Sequence, residues 1–334
     1  MTLDLPLIWA ALIAIAVLMY VVMDGFDLGI GILFPFFKEH RDRTAMMNSI
    51  APVWDGNETW LILGGGGLFA VFPLAYSILM TAFYAPLIIM LLALIFRGVA
   101  FEFRFRDPRH QSFWDLGFTG GSIVATVAQG IVLGAFVQGI EVDGRSYAGG
   151  WFGWLTPFSL FTGLALLCGY ALLGATWLVL KTEGALHARA NRLAQRLAIG
   201  MIVAIVAVSI WTPQFNLVIA ARWFAWPNIA YLAPVPILVA ATAWALLRSL
   251  SLKRDVQPFL LSLVLFVLSF VGLTISLFPY IVPPTVTIWD AAGPPESLGF
   301  LLVGAVVLLP IILGYTAYAY WVFRGKVNAD DGYH

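Results

Sequence analysis

The sequence predicts an all-α integral membrane protein with nine transmembrane helices, its N-terminus outside and its C-terminus inside. Three observations carry that expectation. Apolar residues make up 61% of the 334 and charged residues only 11%, whereas a soluble domain averages about 25% charged. Nine stretches are long and apolar enough to cross about 30 Å of hydrocarbon, which takes roughly 20 residues of helix. Basic residues gather on one side when the spans are counted from an outside N-terminus.

The nine stretches are 6–37, 50–72, 75–103, 114–139, 157–180, 197–220, 228–248, 256–282 and 298–323. Pro73, Pro157, Pro227 and the Pro283–Pro284 pair mark several of the breaks between them, because proline punctuates helices. The loops are short, so residues 1–334 read as a single membrane domain with no soluble domain attached. No Lys or Arg precedes Lys38. A secretory signal needs a basic start, so the first apolar run is expected to stay as a helix.

Orientation follows from the charges. Lys38, Arg41, Arg43, Arg97, Arg104, Arg106, Arg109, Lys181, Arg189, Arg192, Arg196, Arg248, Lys253, Arg254, Arg324 and Lys326 all fall to the inner side. Of the 18 basic residues only Arg145 and Arg222 do not, while Asp4, Glu141, Asp143, Asp290 and Glu296 collect outside. The formal net charge is zero, so the total charge names no partner. Nothing in the chain points to nucleic acid. Cys168 is the single cysteine, which excludes an intrachain disulfide and a thiolate cluster.

Four acids stand inside apolar runs: Asp24 and Asp27 in the first, Asp55 and Glu58 in the second. Each pair is spaced i, i+3 and therefore shares a helix face. Measured at about 1.5 Å per residue, Asp27 and Asp24 lie roughly 16 and 21 Å along the helix from Lys38. Asp55 and Glu58 lie about 9 and 13 Å from Ser49 on the same scale. The short connection makes the two helices antiparallel neighbours, so meeting acidic faces would form a ladder from the inner water towards mid-membrane. An ionised acid in hydrocarbon costs at least about 2.5–3.5 kcal/mol. Intramembrane acids therefore point first to a proton relay or ion site. The alternative is that each acid neutralises a cation or caps a broken helix, and neither helix contains a Lys or Arg.

Other chemistries fit poorly. "DGFDLGIG" lacks the alternating oxygen ligands of a calcium loop and the strand that precedes a nucleotide-binding turn. Its glycines suit close helix packing, as do Gly64 to Gly67. His40, His110, His187 and His334 all fall in inner loops or the tail, so no span offers a histidine as axial haem ligand; Met19, Met23, Met80, Met90 and Met201 are left as alternative ligands, although an apolar Met usually packs.

The runs "MDGFDLGIG" (23–31), "NSIAPVWDGNETWL" (48–61), "LFAVFPLAY" (68–76) and "FRGVAFEFR" (96–104) resemble signatures of subunit II of the cytochrome bd-type quinol oxidases. "KTEGALHARA" (181–190), "TIWDAA" (287–292) and "LLPIILGYTAYAYWVFRGKV" (308–327) extend the resemblance over nearly the whole chain. The compact length is similar to that of the shorter members, among them the cyanide-insensitive group. The resemblance implies a heterodimer in the bacterial cytoplasmic (inner) membrane with a larger subunit I. That partner would bind two b-type haems and haem d and oxidise ubiquinol, while this chain would ligate no haem and no metal. A small accessory subunit and membrane lipid are compatible with it.

The resemblance also implies a route for cytoplasmic protons through acids of the first two helices, which carries over to Asp24 or Asp27 and to Asp55 or Glu58. Some members have Gln at the position of Glu58, which makes Asp55 the stronger assignment. Trp54 and Asn57 are expected mainly to pack and hydrogen-bond. For Arg97 and Glu102, at the inner end of the third helix, a surface ion pair, a lipid headgroup and the partner all remain open. A proton-coupled transporter and a purely structural assembly subunit are the competing readings; transporters commonly carry internal repeats, and none is visible here.

Overall fold

In a computed structural model, residues 3–215 and 217–327 are described; His334 lies outside them. Fourteen helices follow in order: α1 (Leu5–Leu33), α2 (His40–Ile50), α3 (Trp54–Val71), α4 (Pro73–Ala82), α5 (Tyr84–Arg106), α6 (Gln111–Gln138) and α7 (Pro157–Lys181), then α8 (Gly184–Trp211), α9 (Leu217–Phe224), α10 (Asn228–Leu232), α11 (Pro234–Ser251), α12 (Gln257–Leu277), α13 (Ile288–Ala291) and α14 (Pro295–Val322). Two small antiparallel hairpins interrupt them, β1 (Val142–Asp143) with β2 (Ser146–Tyr147) and β3 (Tyr280–Val282) with β4 (Val286–Thr287).

Among the described residues, eight helical segments are long and apolar enough to cross a membrane: α1, α5, α6, α7, α8, α10 together with α11, α12 and α14. The expected second span is α3, 18 residues long and outside that set of eight. Asp55, Asn57 and Glu58 crowd its first two turns. At 1.5 Å per residue it reaches only about 27 Å.

Several boundaries differ from expectation, each for a local reason. The run 6–37 stops being α-helical at Leu33, because Pro35 lacks the amide hydrogen that a continuing ladder needs. The run 50–72 begins only at Trp54, since α2 ends at Ile50 and Pro52 sits in the turn between. The run 75–103 is two helices broken at Phe83, a shared cap with non-helical φ and ψ. The run 197–220 starts thirteen residues early, at Gly184: the basic stretch before Leu197 continues the same helix. At Pro157 the expected start and the structure agree. Thr156 and Ser159 form a reciprocal capping box with Pro157 in the first turn of α7.

The core is built around α1, which packs against α3, α6, α7 and α14. Its contact with α7 is unusually close. A Cβ on Gly29 would overlap the carbonyl oxygen of Tyr170, and one on Gly174 would stand 2.5 Å from the carbonyl carbon of Gly29. The small-residue reading of the first helix thus holds for Gly29. The Gly64–Gly67 run is mixed: Gly64 and Gly67 pack on Val17 and Ile13, whereas Gly65 and Gly66 face open space.

The basic side is tied by ion pairs between elements. Asp115 on α6 accepts from Arg43 on α2 at 2.8 Å and from Arg104 on α5 at 2.5 Å. The two basic residues on the opposite side have plain roles. Arg222 donates to the carbonyls of Ile275, Ser276 and Phe278 at the end of α12, where exposed carbonyls favour a cation. Arg145 lies exposed in the turn of the first hairpin.

Candidate functional site

The two acids of α1 point into the protein: Asp24 and Asp27 are both fully buried. Because α1 ends at Leu33, they lie roughly 14 and 9 Å from its basic-side end at 1.5 Å per residue, shallower than a count from Lys38 suggests. The helix face they share meets α3 and α5. The partners differ for each acid.

Asp27 accepts a hydrogen bond from Asn57 Nδ2 at 2.7 Å. The same amide nitrogen lies 3.4 Å from the Met23 carbonyl, and Asn57 Oδ1 accepts from the Tyr320 hydroxyl of α14 at 2.9 Å. Asn57 is therefore a bridge between α1, α3 and α14, using both ends of its amide.

Asp24 faces a cation that the first two helices do not supply. Arg97 Nη1 is 3.6 Å from Asp24 Oδ1 and 3.4 Å from Glu58 Oε1. Arg97 was expected at the inner end of the third helix, but α5 runs on to Arg106 and its guanidinium is 1% exposed. It sits between the rings of Trp54 and Phe118, with centroids 5.9 and 5.7 Å away. Such aromatic faces attract a cation, by up to about 2 kcal/mol when desolvated. Trp54 thus has a packing role that also bears on the charge. Both Asp24 oxygens, one Asp27 oxygen, and Nε and Nη2 of Arg97 make no hydrogen bond of ordinary geometry to another protein group.

The other expected residues stand apart. Asp55, in the first turn of α3, is exposed and does not join the buried set. Glu102 is paired with Arg106 at 3.7 Å on an exposed face, not with Arg97. The acids therefore form a cluster of three, Asp24, Asp27 and Glu58, with Asp55 outside it, and not a ladder of four.

Four residues escaped the sequence reading. Tyr20, one turn before Asp24 and bordering it, accepts a hydrogen bond from Gln129 Nε2 at 2.7 Å, and the Tyr170 hydroxyl donates to Gln129 Oε1 at 2.9 Å. The i, i+4 spacing of Tyr20 and Asp24 was a usable signal. Gln129 and Tyr320 carried none, because their partners are 109 and 263 residues away.

His40 lies 3.4 Å from Arg104, His110 pairs with Asp107 and His187 with Asp255, all at the basic side. Among the described residues no three His, Cys, Asp or Glu side chains come together as a metal site.

The fold and this polar cluster define a multi-pass membrane protein in which Arg97 lies between buried Asp24 and half-buried Glu58. A model of the family described as cytochrome bd terminal oxidase subunit II matches residues 5–323, and the chain belongs to that family. It is 30% identical to "Cytochrome bd-I ubiquinol oxidase subunit 2" of Escherichia coli (strain K12), over 98% of this chain and 96% of that protein. It is 28% identical to "Cytochrome bd ubiquinol oxidase subunit 2" of Bacillus subtilis (strain 168), over 97% of each. Its fold matches a chain in the structure of bd oxidase from Geobacillus thermodenitrificans with TM-score 0.76 at 17% identity, covering 96% of this chain and 99% of that one.

Proposed function

We propose that this chain is the haem-free subunit of a heterodimeric quinol oxidase, and that its buried acids conduct protons from the cytoplasm towards the partner. The complex would couple oxidation of ubiquinol to reduction of oxygen to water. The two b-type haems and haem d would reside in subunit I. We place the chain in the bacterial inner membrane as one nine-helix domain, N-terminus outside, with α3 as its second span and the basic side in the cytoplasm. A small accessory subunit and bound lipid are compatible with this arrangement.

One observation carries the proton reading: Arg97 is shared between Asp24 and Glu58, with Asp27 beside them. A single guanidinium balances one carboxylate. Three carboxyl groups beside it cannot all be ionised without unpaired charge in the bilayer, where each would cost at least about 2.5–3.5 kcal/mol. Groups held in that balance accept a proton from one side and pass it to the other. Glu58, less deeply buried than the aspartates, would receive protons from the basic side, and Asp24 and Asp27 would hold them further in. The unsaturated polar atoms suit bridging water, which needs two to four polar partners. Tyr320 extends the set onto α14, a helix with only Leu298 buried and so a natural face for subunit I. The geometry favours Glu58 over Asp55 as the donor from the second span.

The test is quinol-driven oxygen uptake by the purified complex. Proton transfer by a positioned side chain is worth about 10²–10⁴-fold. Asp24→Asn, Asp27→Asn or Glu58→Gln should therefore slow uptake by about tenfold or more in at least one haem-loaded complex, while Asp55→Asn should stay near wild type. Normal turnover with full haem content in all of the first three would leave this chain a purely structural role.

A further inference from the structure

We infer that a basic groove on α8 binds the phosphate headgroup of an anionic phospholipid, with the lipid's acyl chains lying along the same face of that helix. The inference rests on the chain being a membrane protein with its basic side at the headgroup level; it is independent of the proton path.

Arg189, Arg192 and Arg196 line a groove of about 230 Å³ together with Leu193 and Phe36, the latter from the turn that follows α1. The arginines repeat every three to four residues, so their side chains share one face of α8. Arg189 is committed to the protein: it lies 3.6 Å from Asp42 and over the ring of Phe37. Arg192 and Arg196 are exposed, and among the described residues neither has an acidic partner within ion-pair distance. Two adjacent guanidiniums without counter-charge repel each other, and their rigid forks match phosphate oxygens well.

What makes the ligand a lipid is the continuation of that face. Counting on from Arg196, Ile199, Val203, Val206 and Ile210 fall on the same side of α8 by their spacing of three and four, and all are exposed. An uncovered apolar stripe meets the groove end to end, with the two cations at the level where the apolar stripe stops. That arrangement mirrors a phospholipid, acyl chains against the stripe and phosphate at its foot. Phe36, itself exposed, adds an apolar wall beside the head. A soluble anion would have no use for the stripe. α8 packs against α7 and α11, whereas α14 packs against α1 and α3, so the groove and the proposed partner surface lie on different helices. Basic pockets on the cytoplasmic side of membrane proteins recognise anionic headgroups in this way.

The experiment uses the intact, delipidated complex in neutral detergent. Native mass spectrometry reads phosphatidylglycerol binding against phosphatidylcholine as the uncharged control. One arginine near anionic lipid is worth about fivefold in binding. Arg192→Gln or Arg196→Gln should each weaken phosphatidylglycerol retention by about fivefold, and the double variant by about twenty-five-fold. Arg254→Gln, an exposed cation on the same side, should change it less than about twofold. A second measurement needs no variant: phosphatidylglycerol vesicles should shield Arg192 and Arg196 of the wild type from an arginine-modifying dicarbonyl, and phosphatidylcholine vesicles should not. Equal retention in wild type and double variant would overturn the inference. So would displacement of the lipid by equimolar inorganic phosphate, which marks a free-anion site, or loss of subunit I on Arg192→Gln, which marks a protein interface.

Discussion

Arg97 shows how one side chain can set the character of a site. A guanidinium that is 1% exposed would be a severe burden on the fold without partners, and here it has two carboxylates and two aromatic faces. The same logic of local partners governs Asp290, at the opposite side of the molecule. Its carboxylate accepts from the Thr287 hydroxyl at 2.5 Å and from the Thr287 amide at 3.2 Å. These bonds hold its carboxyl below the usual carboxylate range. A depressed value means that the cap's stability is fully present above the ordinary carboxylate value and is lost as pH falls through the lower, folded one. Thr287→Val removes the hydroxyl bond and should move that loss to higher pH. Amide exchange of Thr287–Ala291 followed against pH checks it; superimposable wild-type and variant curves would refute the assignment.

At the scale of elements, the site depends on how closely helices approach. α1 and α7 touch backbone to backbone at Gly29 and Gly174, and this contact fixes the rotation of α1 that turns Asp24 and Asp27 inward. Overpacking a core with an added methyl costs about 1–3 kcal/mol, and here the obstacle is a backbone carbonyl that cannot swing aside. Gly29→Ala should therefore destabilise the chain by about 3 kcal/mol and lower the yield of assembled complex. Gly66→Ala, where a Cβ meets open space, should leave the isolated fold unchanged. Thermal unfolding of the two variants in detergent provides the comparison. An equal melting temperature for Gly29→Ala and wild type would mean that α1 can rotate without cost.

Over the whole molecule, segments near both limits of the described residues meet distant elements. Trp289 Nε1 donates to Asp4 across 285 residues. On the basic side the segment after α14 is strapped to α7 and to the start of α12. Val327 N–H donates to the Lys181 carbonyl at 2.8 Å, and Lys326 Nζ reaches the Thr182 carbonyl at 3.1 Å and Asp255 at 3.0 Å. Since α14 carries Tyr320, this strap also steadies the last member of the Asp27–Asn57–Tyr320 chain. Lys326→Ala removes a half-exposed ion pair, which is worth only about 0–1 kcal/mol. Global stability should fall by no more than that, while the Val327 amide should exchange at least severalfold faster. Unaltered exchange at Val327 would show that the strap does not depend on Lys326.

Read by itself, the sequence determined what composition and periodicity can encode: lipid as the solvent, the rough position of most apolar runs, the clustering of basic residues and the presence of acids where charge is costly. Asp24 and Asp27 were identifiable for that reason, and the start of α7 because Pro157 marks it locally. Tertiary structure decided everything that needs two distant segments to meet. It took Arg97 away from Glu102 and gave it to Asp24 and Glu58, left Asp55 exposed, and brought Tyr320 and Gln129 to the site from far along the chain. The physical reason is that burial cost is a property of one residue and its neighbours in sequence, whereas the partner that offsets it is chosen by how helices rotate and pack.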